Sequence, residues 1–171
     1  MITAQEFVAQ ALVGNYLGIA YEKLDCQAFV EKVLHDCGIN QNWRGSNHMW
    51  REALSSKKAI ESISEIPAGA WLFTVKQDGG EKERGYNDNE GNAKHVGIYL
   101  GNNDVIHSTT GGVQMDKITS KRWTHYGLCK YIDYNNIPAS ENTPASAKEI
   151  FEYLGTLSLH DFIQYVRQYM G

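Results

Sequence analysis

Apolar side chains recur at helical spacing up to Pro67 and at strand spacing beyond it, so helices and strands should occupy separate halves of the chain. Thr3 and Glu6 have the spacing of a capping box, and Phe7, Val8, Ala11 and Leu12 then make one stripe, which predicts a helix ending near Tyr16. Asp25 and Cys26 open a second helix, with Phe29, Val30, Val33 and Leu34 on one face and Gly38 as a left-handed stop. Ser46 reads as the N-cap of a short helix over residues 47–54, and residues 57–63 as a further turn or two. After Pro67, residues 70–76, 95–100, 105–108, 113–116 and 127–133 read as short strands punctuated by Gly and Asn. Helices grouped ahead of strands predict an α+β fold in which N-terminal helices pack on a central antiparallel β-sheet, because the apolar face of such a sheet needs a cover.

A chain of 171 residues suits one main domain, expected over residues 1–134. Residues 135–146, rich in Asn, Pro, Ser and Thr, read as a linker. Residues 147–171 then read as a short C-terminal helical pair, capped by Ser146 with Glu149 and by Ser158 with Asp161. Too short to fold alone, the pair is expected to pack on the main domain or on a partner chain. Sixteen Lys and Arg against twenty Asp and Glu leave a net charge of -4, so no basic field exists to hold nucleic acid. No apolar run reaches the length of about 18 residues that a membrane span requires. Residues 1–6 lack a basic region and no apolar core follows, so no signal peptide is visible and synthesis in the cytoplasm is expected. Oligomeric state is left open.

The three cysteines, Cys26, Cys37 and Cys129, have neither the number nor the spacing of a disulfide framework. Cys26 is distinguished by its place at a helix start, where unpaired N–H groups and the macrodipole favour a thiolate and a lowered pKa. A thiolate nucleophile needs a base, and the base needs a third group to hold its ring. His95 and His107 fit those roles. His95, Gly97 and Tyr99 share one face of a strand, opposite Val96, Ile98 and Leu100. Gly101, Asn102, Asn103 and Asp104 supply turn chemistry before His107. An odd hairpin loop of three or five residues puts His107 on the face of His95, and a loop of four puts it on the other. No metal is required: Cys26, Cys37, His35 and His48 lack zinc-ligand spacing, and residues 78–92 lack the calcium-loop frame. No cofactor is expected.

These residues together resemble the NlpC/p60 family of papain-like cell-wall cysteine peptidases. The resemblance rests on Asp25-Cys26-Gln27-Ala28-Phe29-Val30 at a helix start, then Ile66-Pro67-Ala68-Gly69-Ala70-Trp71-Leu72-Phe73 leading a strand. His95-Val96-Gly97-Ile98-Tyr99-Leu100 and Ile106-His107-Ser108 complete it, with the histidines twelve positions apart, and it spans roughly residues 16–133. It implies a papain-like fold, a Cys26-His95-His107 triad, and hydrolysis of an amide bond in the peptidoglycan stem peptide, which would be the substrate partner. It further implies action at the cell wall or outside the cell, after unconventional release or within a larger export system. Tyr21 matches a family tyrosine near the oxyanion site, beside the Cys26 N–H, and reads equally as core packing. Gln27-Ala28 stands where the family has Ser-Gly, and Ala70 where it has Asp. That leaves the groove's preference open and puts Gln27 in position to line it as a donor. The groove walls are expected from residues 77–92 and 43–51, with Arg44 or Arg51 either pairing a substrate carboxylate or forming a surface salt bridge. Two other readings stand beside the peptidase: a non-catalytic papain-like module binding wall peptides or a partner protein, and an acyl-transfer enzyme or amide hydrolase acting on a protein side chain.

Overall fold

The computed structural model describes residues 1–118 and 122–135. Most of the expected linker and the whole C-terminal helical pair lie outside the described residues. The chain opens with β1 (Ile2–Thr3) and α1 (Ala4–Val13), followed by α2 (Cys26–Asp36) and α3 (Ser46–Glu52). There follow β2 (Leu54–Ala59), a 3-10 turn (Ile63–Glu65), β3 (Trp71–Lys76) and the one-turn helix α4 (Gly80–Glu83). Then come β4 (Asn92–Gly101), β5 (Asp104–Thr109), β6 (Gly112–Lys117), β7 (His125–Cys129) and β8 (Ile132–Asp133). Six strands form an antiparallel sheet in the order β2-β7-β3-β4-β5-β6, and β1 pairs in parallel with β8. This is the expected α+β architecture.

Strand alternation supplies two cores. Trp71, Phe73, Val96, Ile98 and Ile106 pack against Phe7, Phe29, Val33, Leu34 and Met49 of the helices. Leu72, Tyr99, Val105 and Tyr126 join Ile66, Ile118 and Trp123 on the other face. The predicted stripe of α2 is fully buried at Phe29, Val30, Val33 and Leu34, each worth about 1.5–3 kcal/mol. Tyr16 ties α1 to α2: its hydroxyl donates to Asp36 at 2.6 Å, accepts from Gln10 at 2.9 Å, and its ring meets Phe29 edge-on.

Local structure departs from expectation in several places. The Thr3–Glu6 capping box forms, but α1 stops at Val13, because Gly14 is its C-cap and Asn15 turns left-handed at φ 55°. Gly45, at φ 90°, takes the cap position of α3, while Ser46 is its first residue and donates to the Ala93 carbonyl at 2.6 Å. The helical turn expected over residues 57–63 does not form, since Leu54–Ala59 extends to pair with β7 and cover its free edge, and only Ile63 enters a 3-10 turn. The single strand expected over residues 127–133 is two, because the chain turns between β7 and β8 to reach β1.

Candidate active site

Asp25 starts α2. Its backbone is extended (φ -67°, ψ 179°) and its carboxylate accepts from the N–H groups of Gln27 at 3.0 Å and Ala28 at 2.8 Å, which satisfies two orphan donors of the first turn. Cys26 follows, buried. The approach to it is held from the sheet: the Ser108 hydroxyl donates to the Leu24 carbonyl at 2.5 Å. Farther back, Gly18 donates to the Val113 carbonyl at 2.8 Å and Val113 donates to the Ile19 carbonyl at 2.9 Å. The neighbour of His107 thus anchors the residue two places before the cysteine.

The thiol environment differs from expectation. Burial pushes the Cys26 thiol above its ordinary value, and the charge of Asp25 adds to the rise, while the Val96 N–H, the Tyr21 hydroxyl and the Gln27 N–H act against it. Desolvation of a nine-tenths buried sulfur outweighs the first-turn N–H groups that were expected to lower its pKa. Tyr21 lies against the sulfur, whose charge, with partial burial, raises the phenol. The Gln27 side chain is engaged within the protein. Its side-chain oxygen accepts from the Gly45 N–H at 3.1 Å and its amide helps hold the Glu31 carboxylate. Glu31 in turn accepts from the Trp43 N–H, so Gln27 braces the segment ahead of α3.

His95 and His107 come together. Residues 100–104 lie between the paired Tyr99 and Val105, an odd number, so both histidines occupy one face. Asn102 and Asn103, at φ 48° and 67°, make a two-residue tip of the hairpin type with two left-handed residues, and a bulge at Leu100 corrects the parity. His95 Nε2 lies 2.7 Å from His107 Nδ1. His107 is fully buried, and its Nε2 lies 2.8 Å from Asp116 Oδ2. Trp123 covers the pair, stacked on His95 at 5.3 Å and edge-on to His107 at 5.2 Å. Burial, then the neighbouring His107 and Arg122, pulls His95 down to about 4. Burial likewise lowers His107, against the pull of Asp116. The Val96 N–H directed at the thiol places Cys26 beside β4, one residue from His95. Among the described residues no hydrogen bond joins the thiol to either imidazole, a contact that commonly tightens only when substrate is bound.

Residues 77–92, expected as a groove wall, form a fastened segment. Arg51 holds Asp88 through two bonds of 2.7 and 2.8 Å, donates to the Gly91 carbonyl at 3.0 Å and lies 4.1 Å over the Tyr86 ring. Lys57 pairs with Glu90, and Lys94 with Asp78. Arg51 is therefore committed within the protein, while Arg44 stays exposed. Asp116 and Trp123 were not singled out from the sequence. Asp116 had a legible signal, since the tight turn after Thr109 pairs His107 with Gln114 and sends Asp116, two residues on, to the same face. Trp123 had none, because no local period ties it to the histidines.

The model of the NlpC/P60 family matches residues 15–131. Among solved structures, the NlpC/p60 domain of the peptidoglycan hydrolase SagA is similar at 21% identity and a TM-score of 0.53, over 74% of this chain and 98% of that one. The peptidoglycan hydrolase RipB of Mycobacterium tuberculosis is 16% identical, with a TM-score of 0.48, over 75% of this chain and 67% of its own. RipD of the same organism, described as a non-catalytic NlpC/p60 domain protein adapted to peptidoglycan binding, is 13% identical, with a TM-score of 0.49, over 75% and 98%. No curated protein matches in sequence. Matched from the loop before the cysteine to the end of the sheet, the chain belongs to the NlpC/P60 family.

Proposed function

We propose that the protein is a cysteine peptidase that hydrolyses an amide bond in peptidoglycan stem peptides. The observation that carries this reading is the 2.7 Å hydrogen bond between His95 and His107, beside a buried thiol at the start of α2 in a chain of this family. The Cys26 sulfur attacks the carbonyl carbon as His95 takes its proton, and His107 orients His95. With the thiol raised and His95 lowered, the resting pair is neutral, so proton transfer accompanies attack. The Cys26 N–H, with the Tyr21 hydroxyl, faces the developing oxyanion. His95 then protonates the leaving amine, and water, deprotonated by His95, hydrolyses the thioester and returns the thiol. The cell wall is the site of action, reached by release or through a larger export system.

The neutral resting pair also favours a second reading, a groove that binds wall peptides without cutting them. Defined peptidoglycan fragments incubated with the purified protein and analysed by mass spectrometry separate the two. Cleavage should give new amino termini within the stem peptide, absent with Cys26→Ala and with His95→Ala. Intact fragments that still bind in calorimetry would replace the peptidase with a binding module.

A further inference from the structure

We infer that Asp116 is a positioning residue that selects the tautomers of His107 and His95 and so leaves the Nδ1 lone pair of His95 as the proton acceptor. The inference rests on His95 being the base, as proposed above. An ionised carboxylate only accepts hydrogen bonds, so His107 Nε2, 2.8 Å from Asp116 Oδ2, carries the hydrogen. His107 is buried and uncharged, which leaves its Nδ1 as an acceptor. His95 Nε2, 2.7 Å from that Nδ1, must donate. A neutral His95 then has its lone pair at Nδ1.

The carboxylate is itself held. Gln114, paired directly across from His107, donates to Asp116 Oδ2 at 2.9 Å, and Arg122 Nη1 lies 3.3 Å from the same oxygen. The hydrogen bond from His107, then that from Gln114, keeps the Asp116 carboxyl below its usual range. Trp123 and full burial of His107 keep water from competing for the imidazole nitrogens. Removing Asp116 frees His107 to carry its hydrogen on either nitrogen. When His107 carries it on Nδ1, the two rings face each other donor to donor unless His95 also changes tautomer, and that change removes the base.

The test uses the full chain labelled with 15N. The six histidines are assigned by single substitutions, and the imidazole tautomers are read by long-range 1H–15N correlation at neutral pH in the wild type, Asp116→Ala and Asp116→Asn. Expected are Nε2–H forms of both His95 and His107 in the wild type, a mixture in Asp116→Ala, and return toward the wild-type form in Asp116→Asn, whose side-chain oxygen still accepts. Stem-peptide cleavage should fall about tenfold to a hundredfold in kcat, with KM little changed, in Asp116→Ala. Backbone amide spectra and unfolding curves of the variants show whether the fold is kept. An Nδ1–H wild-type form of either ring, or wild-type tautomers in a folded Asp116→Ala, overturns the inference. The tautomers are read without substrate, so absence of cleavage by the wild type would remove the peptidase reading while the spectra still decide the role of Asp116.

Discussion

Gly97 lies across the ladder from His107, and its missing side chain is what lets the two imidazoles meet. A Cβ there would sit 2.9 Å from His107 Cβ, 2.9 Å from Trp123 Cη2 and 3.2 Å from the Ile106 carbonyl. These neighbours are strand backbone and a buried indole, which have little room to yield. Gly97→Ala is expected to lower stability by about 1–3 kcal/mol in urea unfolding and to reduce kcat more than it changes KM. An alanine variant with wild-type stability and turnover would show that the packing over the histidines is loose. Cys26, His95 and His107 were legible because each stands in a short frame with its own period or cap. Asp116 and Trp123 acquire their roles from strands and loops that only folding brings alongside.

The β4–β5 hairpin shows how far a local pattern carries. Its turn residues were visible, but a two-residue tip alone would send the histidines to opposite faces. The bulge at Leu100 restores the shared face, and a bulge is selected by the neighbouring strands rather than by its own residue type. Similarly, Leu54–Ala59 becomes strand because β7 offers an open edge, and its Lys57 and Lys58 guard the new edge against further pairing. The stretch 77–92 was expected as a wall of the groove, and Arg51, its side chain 6% exposed, fastens it. Arg51→Ala should cost about 1–3 kcal/mol and make this segment the first site of limited proteolysis. Arg51→Lys should recover only part, since an ammonium lacks the two-pronged geometry. Equal protease resistance in the wild type and Arg51→Ala would mean that the Lys57 and Lys94 pairs suffice.

Across the whole molecule, burial of imidazoles couples stability to pH. His95 is held at about 4 against an ordinary value near 6.5, and His107 and His125 are lowered in the same direction by burial. Below about pH 6.5 the unfolded chain binds protons that the folded chain refuses. Stability is therefore complete above that pH and falls as pH drops toward 4, by roughly 3 kcal/mol from His95 alone. Urea midpoints at pH 7 and pH 5 should fall farther for the wild type than for His95→Gln; parallel falls would refute the assignment. The sequence by itself determined the α+β class, the cap that starts α2 at Cys26, and the His95 and His107 frames, because periodicity and capping act over a few residues. Tertiary structure decided the register that joins the imidazoles, the turning of Gln27 into a brace, the raised thiol and the carboxylate behind His107. Those depend on desolvation and on contacts between segments far apart in the chain, neither of which a local pattern encodes.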